Sequence, residues 1–241
     1  MYGTRAKIGL LVPSANTIIE EDFHALKPDG VSVHSARMFF SGPGPTEENL
    51  AAMAEDTEAA TQRIMSARPD VIAFGCTTGS VLKGIGWDQE LISRIEKVAK
   101  VPATTTATAV IRAMQHLNIK RISLGSPYND ALNEIEVDFF NKSGIEVTKV
   151  KGLDLTVKEM DEISLERVVE LARDVNTPDA EAVFLSCTNL KSLPILDQAE
   201  KELGKYVFSS NIATFWETQR LLKIKTQYVK QGKLLETLNS L

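Results

Sequence analysis

The sequence is poor in the residues that most often announce a reaction. Its 241 residues include two cysteines, Cys76 and Cys187, and three histidines, His24, His34 and His116. The histidines are far apart and form neither an HExxH motif nor an i, i+4 pair, so no metal centre is expected. GIG at 84–86 is not part of a GxGxxG following a strand, and no GxxxxGKS/T occurs, which removes support for a nucleotide cofactor. The net charge of −5 is modest and carries no block of like charges, leaving no footprint for nucleic acid or an anionic membrane. No apolar run approaches the length that spans a bilayer. The first run, Ile8 to Val12, stops at Pro13 and leads into acidic residues, without the long core and cleavage site of a signal peptide. A cytoplasmic protein with reduced thiols and a small-molecule partner is the expectation.

What is present is a regular alternation. Short apolar, β-rich runs at 7–12, 31–36, 70–75, 101–105, 120–125, 145–150, 181–186 and 206–210 read as buried strands. Between most of them lie amphipathic helical patterns, at 47–66, 88–100 (behind Asp88 as N-cap), 107–117, 129–142, 164–175, 193–203 and 212–223. Such alternation predicts a parallel α/β architecture.

The pattern also occurs twice. KIGLLVPSANTIIEEDF is similar to RISLGSPYNDALNEIEVDFF, each a strand, a proline, an asparagine (Asn16 or Asn129) and an acidic helix. VIAFGCTTGS matches AVFLSCTNLK, and VPATTTATAVIRAM matches YVFSSNIATFWETQ. The offsets are 114 residues from Pro13 to Pro127, 111 from Cys76 to Cys187 and 105 from Val101 to Tyr206. Two similar open sheets follow, with 1–105 plus 211–241 as one half and 106–210 as the other.

All the matched loops fall at carboxyl ends of strands, where open α/β sheets bind ligands. Two facing halves would bring Cys76 and Cys187 to one ligand from opposite sides. A thiolate is a strong nucleophile and a fair base, and its pKa falls at a helix N-terminus, the position expected for both cysteines. The neighbouring Thr77, Thr78, Thr188 and Asn189 supply hydroxyl, amide and backbone donors for a carboxylate. The alternative for either cysteine alone is a small core hydrophobe.

With these segments in place, the chain resembles the aspartate/glutamate racemase superfamily, and within it the maleate cis-trans isomerase and arylmalonate decarboxylase branch. The resemblance runs from Lys7 to Leu222 and is carried by VPSANTIIEED, VHSARM, FGCTTGS, SPYNDALNE, LSCTNLKSLP and VFSSNIATFWETQRLL, in that order. It implies a pseudosymmetric pair of flavodoxin-like α/β halves, an active site in the cleft between them, no metal or organic cofactor, and a small carboxylic acid as substrate. By the same resemblance Cys76 is the cysteine that adds to the double bond and Cys187 the opposing acid/base. Asn16 and Tyr128 hold a carboxylate, Thr77, Thr78 and Thr188 supply further donors, and Asn189 is a weaker addition. Decarboxylases of the branch keep the second cysteine alone, so the presence of both favours isomerisation. Arg37 matches the isomerase-like SRM pattern, although a surface arginine at a strand end is the plainer reading.

Cis-trans isomerisation of a small dicarboxylate is therefore the expected activity. An aspartate/glutamate-type racemase, favoured by the polar Thr77-Thr78-Gly79-Ser80 turn, and an arylmalonate-type decarboxylase are the enzymatic alternatives. A two-lobed carboxylate-binding module is the non-enzymatic one. The turn-rich segment 41–49 could close over the cleft or be an inert connection. Ser209, Ser210 and Asn211 read as a helix cap or a supporting contact near the cleft, and Phe215 and Trp216 read as core. The tail 224–241 suggests no chemistry, and a homodimer is the default assembly.

Overall fold

The computed structural model describes residues 2–240. In chain order the elements are β1 (Ala6–Pro13), α1 (Ile19–Leu26), β2 (Val31–Met38), α2 (Glu47–Glu55), α3 (Thr57–Ile64), β3 (Val71–Phe74), α4 (Thr77–Val81), α5 (Trp87–Ala99), β4 (Ala103–Thr105) and α6 (Thr106–His116). The second series is β5 (Arg121–Ser126), α7 (Asp130–Lys142), β6 (Glu146–Gly152), α8 (Val157–Glu162), α9 (Leu165–Val175), β7 (Ala182–Leu185), α10 (Leu196–Leu203), β8 (Tyr206–Ser209), α11 (Ser210–Leu222) and α12 (Lys233–Glu236).

Two four-stranded parallel sheets result, with orders β2-β1-β3-β4 and β6-β5-β7-β8. The internal repeat is thus a repeat of topology. The central strands β3 and β7 are buried along their whole length, as expected of VIAF and AVFL covered by helices on both faces. Equivalent hydrogen bonds end them: Gly75 N–H donates to Leu11 O and Ser186 N–H to Gly125 O, both at 2.8 Å. One hydrophobic cluster runs through both sheets. Helix α11, which follows the last strand of the second sheet, packs against α1, β3 and β4 of the first and along α6. Helix α6 itself lies on α4, α5 and β4.

Two local expectations change. The single helix at 47–66 is broken at Asp56, whose carboxylate accepts from the Phe39 N–H and from Arg63 and so draws the chain out of one continuous helix. Asp88 does not cap α5. The helix begins one residue earlier, behind Gly86 at φ 91°, and the Asp88 carboxylate is buried against the Thr108 hydroxyl. In α9, Leu165 lies at the exposed end, while Val168, Val169 and Ala172 are buried. The tail proves to be packing material: Leu234, Leu235 and Leu238 are buried, and Trp216 Nε1 donates to Thr237 Oγ1 at 3.0 Å. No helix among the described residues is long and apolar enough to cross a membrane.

Candidate active site

A cavity of about 430 Å³, including its open mouth, lies where the carboxyl ends of β1, β3 and β7 converge, and both cysteines line it. Each is 6% exposed and neither is in a disulfide. Asn16, Thr78, Tyr128, Thr188 and Asn189 also reach this cavity.

Cys76 ends the β3 loop in extended backbone and is the N-cap of α4, where its sulfur accepts from Gly79 N–H at 3.4 Å. Glycine at 79 leaves room for that approach, because a Cβ there would sit 3.0 Å from the Cys76 sulfur and 2.9 Å from Met53 Cε and would displace one or both. Cys187 is different. No helix follows it directly; the chain turns instead, with Cys187 at φ 109°, a conformation that favours glycine and costs about 1–3 kcal/mol in other residues. Its sulfur accepts from Asn189 N–H at 3.3 Å, and Tyr128 lines the same cavity. The expectation of two matching helix N-termini is therefore met at Cys76 and overturned at Cys187.

The expected lowering of the thiol pKa values is overturned as well. Burial pushes Cys76 up to about 11, with the Gly79 N–H and Thr78 hydroxyl pulling it back incompletely. Burial pushes Cys187 up to about 12, against the lowering pull of Tyr128 and the Asn189 N–H. Tyr128 is itself raised well above its usual value, by burial first and by the neighbouring thiols and Glu136 after it. Desolvation outweighs the few N–H dipoles available, so the resting site holds two neutral thiols.

Around the sulfurs, polar side chains tie the two halves together. Asn16 Oδ1 accepts from Ile18 N–H and Ile19 N–H at the start of α1, while its Nδ2 donates to Thr188 Oγ1 at 2.9 Å. Thr188 Oγ1 donates in turn to Gly75 O at 3.0 Å, next to Cys76. Thr77 points elsewhere. It does not line the cavity, and its hydroxyl donates to Ser210 Oγ at 2.8 Å. Ser210 Oγ also accepts from Cys187 N–H at 3.1 Å, so one hydroxyl fixes both cysteine loops. Asn189 is similarly engaged, accepting from Thr17 N–H and donating to Asp161 Oδ1. Tyr128 is placed by a close backbone crossing: a Cβ on Gly152 would lie 2.1 Å from Tyr128 O.

Arg37 does not enter the cavity. It donates to Ser14 O and Asn16 O and pairs with Glu20, holding the β1 loop from outside. The segment 41–49 contributes Pro45 to the mouth, beside Phe40, Leu50, Val157 and Met160, and Val157 N–H donates to Pro43 O at 2.9 Å. The mouth is thus apolar and its floor polar. No cluster of three His, Cys, Asp or Glu side chains suited to a metal occurs among the described residues.

Sequence reasoning did not single out Ser186, Asp161 or Glu136. Glu136 is fully buried in α7, with Oε1 accepting from Ser186 Oγ at 2.9 Å. Its position between the buried Asn133 and Phe139 in the sequence reads as one more acid of an amphipathic helix.

The profile of a family described as arylmalonate decarboxylase matches residues 8–235. The maleate isomerase of Geobacillus stearothermophilus is 28% identical over 247 residues, with 95% of this chain and 96% of that protein covered. The arylmalonate decarboxylase of Bordetella bronchiseptica is 28% identical, with 89% of each chain covered. A solved structure of the maleate cis-trans isomerase of Nocardia farcinica, a cysteine-to-serine variant with a covalently bound succinylcysteine intermediate, superposes with a TM-score of 0.92 at 27% identity, covering 96% of this chain and 98% of that one.

Proposed function

The chain belongs to the arylmalonate decarboxylase family, and from that premise we propose that it is a cytoplasmic, cofactor-independent isomerase converting a small cis-enedioate of the maleate type to its trans isomer. The observation that carries the reading is the presence of both Cys76 and Cys187 on one cavity, each delivered by the same strand position of a different sheet. The succinylcysteine in the Nocardia farcinica relative supports the covalent step.

The chemistry follows from the two sulfurs. The Cys76 thiol first gives up its proton to solvent and then adds as thiolate, its sulfur forming a bond to one alkene carbon while the π electrons move to the other carbon and its carboxylate. Cys187 gives its proton to that second carbon and becomes the thiolate, which the Tyr128 hydroxyl stabilises. The former double bond is now single and rotates. Cys187 then takes the proton back from the same carbon, the alkene reforms in the trans geometry, and the Cys76 sulfur leaves.

Asn16, Thr78, Tyr128 and Thr188 are the groups assigned to the carboxylate that gathers charge during addition. Thr77 and Asn189 support them, through Ser210 and Asp161 respectively. The division at 1–105 plus 211–241 and 106–210 belongs to the same reading, with the passage of α11 onto β3 and β4 supporting it.

The test is incubation with maleate, D- and L-aspartate, D- and L-glutamate and phenylmalonate in deuterated water, followed by NMR. Fumarate from maleate is the expected outcome. Deuterium entering an amino-acid α-carbon, or carbon dioxide leaving phenylmalonate, with maleate untouched, would replace this reading by the racemase or the decarboxylase.

A further inference from the structure

One buried acid stands beside this site without a role in the mechanism above. Glu136 is 0% exposed, its Oε1 takes the Ser186 hydroxyl at 2.9 Å, and its Oε2 has no hydrogen-bond partner. Ser186 is the residue immediately before Cys187, and its own N–H is fixed to Gly125 O at the end of the central strand pair. The carboxyl is therefore coupled through one hydroxyl to the loop that carries a catalytic thiol. Helix α7 packs against α4, the helix that Cys76 caps.

The charges around Glu136 are one-sided. The titratable groups that its ionisation disfavours are Cys76, Cys187 and Tyr128, and all three are acids. No cation faces it. Helix α4, Thr77–Val81, carries no charged residue, and the β6 lysines Lys149 and Lys151 turn to Asp174. On α7 itself Asp130, Glu134 and Asp138 are exposed. An ionised carboxylate here would share a dry region with any thiolate formed, and like charges in such a place strongly disfavour one another.

We propose that Glu136, held by Ser186 next to Cys187, is a positioning residue that governs the ionisation of the cysteine pair: protonated, it permits a thiolate, and ionised, it suppresses one. Burial with a single lowering hydrogen bond from Ser186 raises its carboxyl to about 8, which puts the change within the working range of an enzyme. As a catalytic device the proposal rests on the thiol mechanism of the preceding section, but its first test does not use turnover.

The experiment compares the full-length native protein with Glu136→Gln, an uncharged near-isostere that still accepts from Ser186. Alkylation of Cys76 and Cys187 by iodoacetamide is followed separately by mass spectrometry from pH 6 to 10. Below about pH 8 both proteins should label at rates within about twofold of each other, rising roughly tenfold per pH unit as thiolate forms. Above it the native curve should bend over while that of Glu136→Gln continues upward, giving a several-fold difference by pH 9.5. Ser186→Ala, which removes the lowering hydrogen bond, should move the native bend to higher pH.

Superimposed native and Glu136→Gln curves, or a variant slower at every pH with an unchanged melting temperature, would overturn the proposal. The same bend in the pH dependence of kcat/KM for maleate, absent in Glu136→Gln, is the second readout. Labelling that bends as stated in a protein inert toward maleate would uphold the coupling and reject the substrate.

Discussion

The Asn16 amide donates to the Thr188 hydroxyl at 2.9 Å across 172 residues of sequence, and the same Asn16 side chain caps the start of α1 through its oxygen. One residue therefore orders a helix start in the first half and a cysteine loop in the second. Asn16→Ala removes both. Loss of the cap costs about 1 kcal/mol, with a comparable amount for the buried hydrogen bond. Urea unfolding should show a decrease of roughly 2 kcal/mol, and kcat/KM for maleate should fall with the largest share in KM. Unchanged KM would place the carboxylate elsewhere in the cavity.

Cys187, the proposed acid/base, has a strained backbone. Cys187→Ala and Cys187→Gly should each be inactive, since neither can move a proton. They should differ in stability. At φ 109° glycine relieves strain of about 1–3 kcal/mol, less its greater freedom in the unfolded chain of about 0.5–1 kcal/mol, so Cys187→Gly should be the more stable of the two by roughly 1 kcal/mol. Equal unfolding midpoints would show the backbone to be unstrained.

Cys187→Ser offers a sharper view of the chemistry. With the opposing thiol replaced by a much weaker acid/base, adduct formation and release both slow, and Cys76 should accumulate a succinyl adduct on incubation with maleate. Peptide mass spectrometry should find this adduct on Cys76, and Cys76→Ser should abolish it. Full turnover by Cys187→Ser would show that Cys187 is packing and not a catalyst.

The Tyr128 hydroxyl is the group that lowers the Cys187 pKa most, against a larger opposing effect of burial. Tyr128→Phe removes the hydroxyl that lowers the pKa of the sulfur proposed to carry negative charge in mid-reaction. Loss of one such donor typically costs about 10²-fold in rate. The expected result is a drop of that order in kcat, with alkylation of Cys187 shifted to higher pH than in the native protein.

Much of this architecture is legible in the chain because it is written twice. The apolar runs ending at Gly75 and Ser186 gave both central strands, and the 111-residue offset of the cysteines gave their shared cavity. What escaped depends on three-dimensional context. The positive φ of Cys187 has no local signature, because a glycine would be the usual marker and the chain has cysteine there. The hydroxyls of Thr77 and Thr78 are equivalent by residue type, yet one faces Ser210 and the other the cavity. Glu136 looks like a solvated helix acid until β7 places Ser186 against it. The thiol pKa values failed for an energetic reason: a helix terminus was weighed without the desolvation that outweighs it.

A second buried acid gives a prediction about stability. Asp22 on α1 accepts from Asn211 Nδ2 at 2.7 Å, and the same amide donates to Thr188 O, so this carboxyl braces α11 against the Cys187 loop. Burial raises Asp22 to about 7 from 3.8, with the Asn211 hydrogen bond lowering it and nearby Glu21 raising it. The folded protein thus holds a proton that the unfolded chain has released. Stability from this group is fully present below about pH 3.8 and is lost as the pH rises through about 7. The difference, 7 less 3.8, corresponds to an upper value on the order of 4 kcal/mol. Asp22→Asn remains neutral and can still accept from Asn211. Its unfolding free energy should therefore exceed that of the native protein at pH 8 and match it near pH 4. A native excess at pH 8 would mean that Asp22 is ionised and satisfied in the fold, with its pKa lowered and not raised.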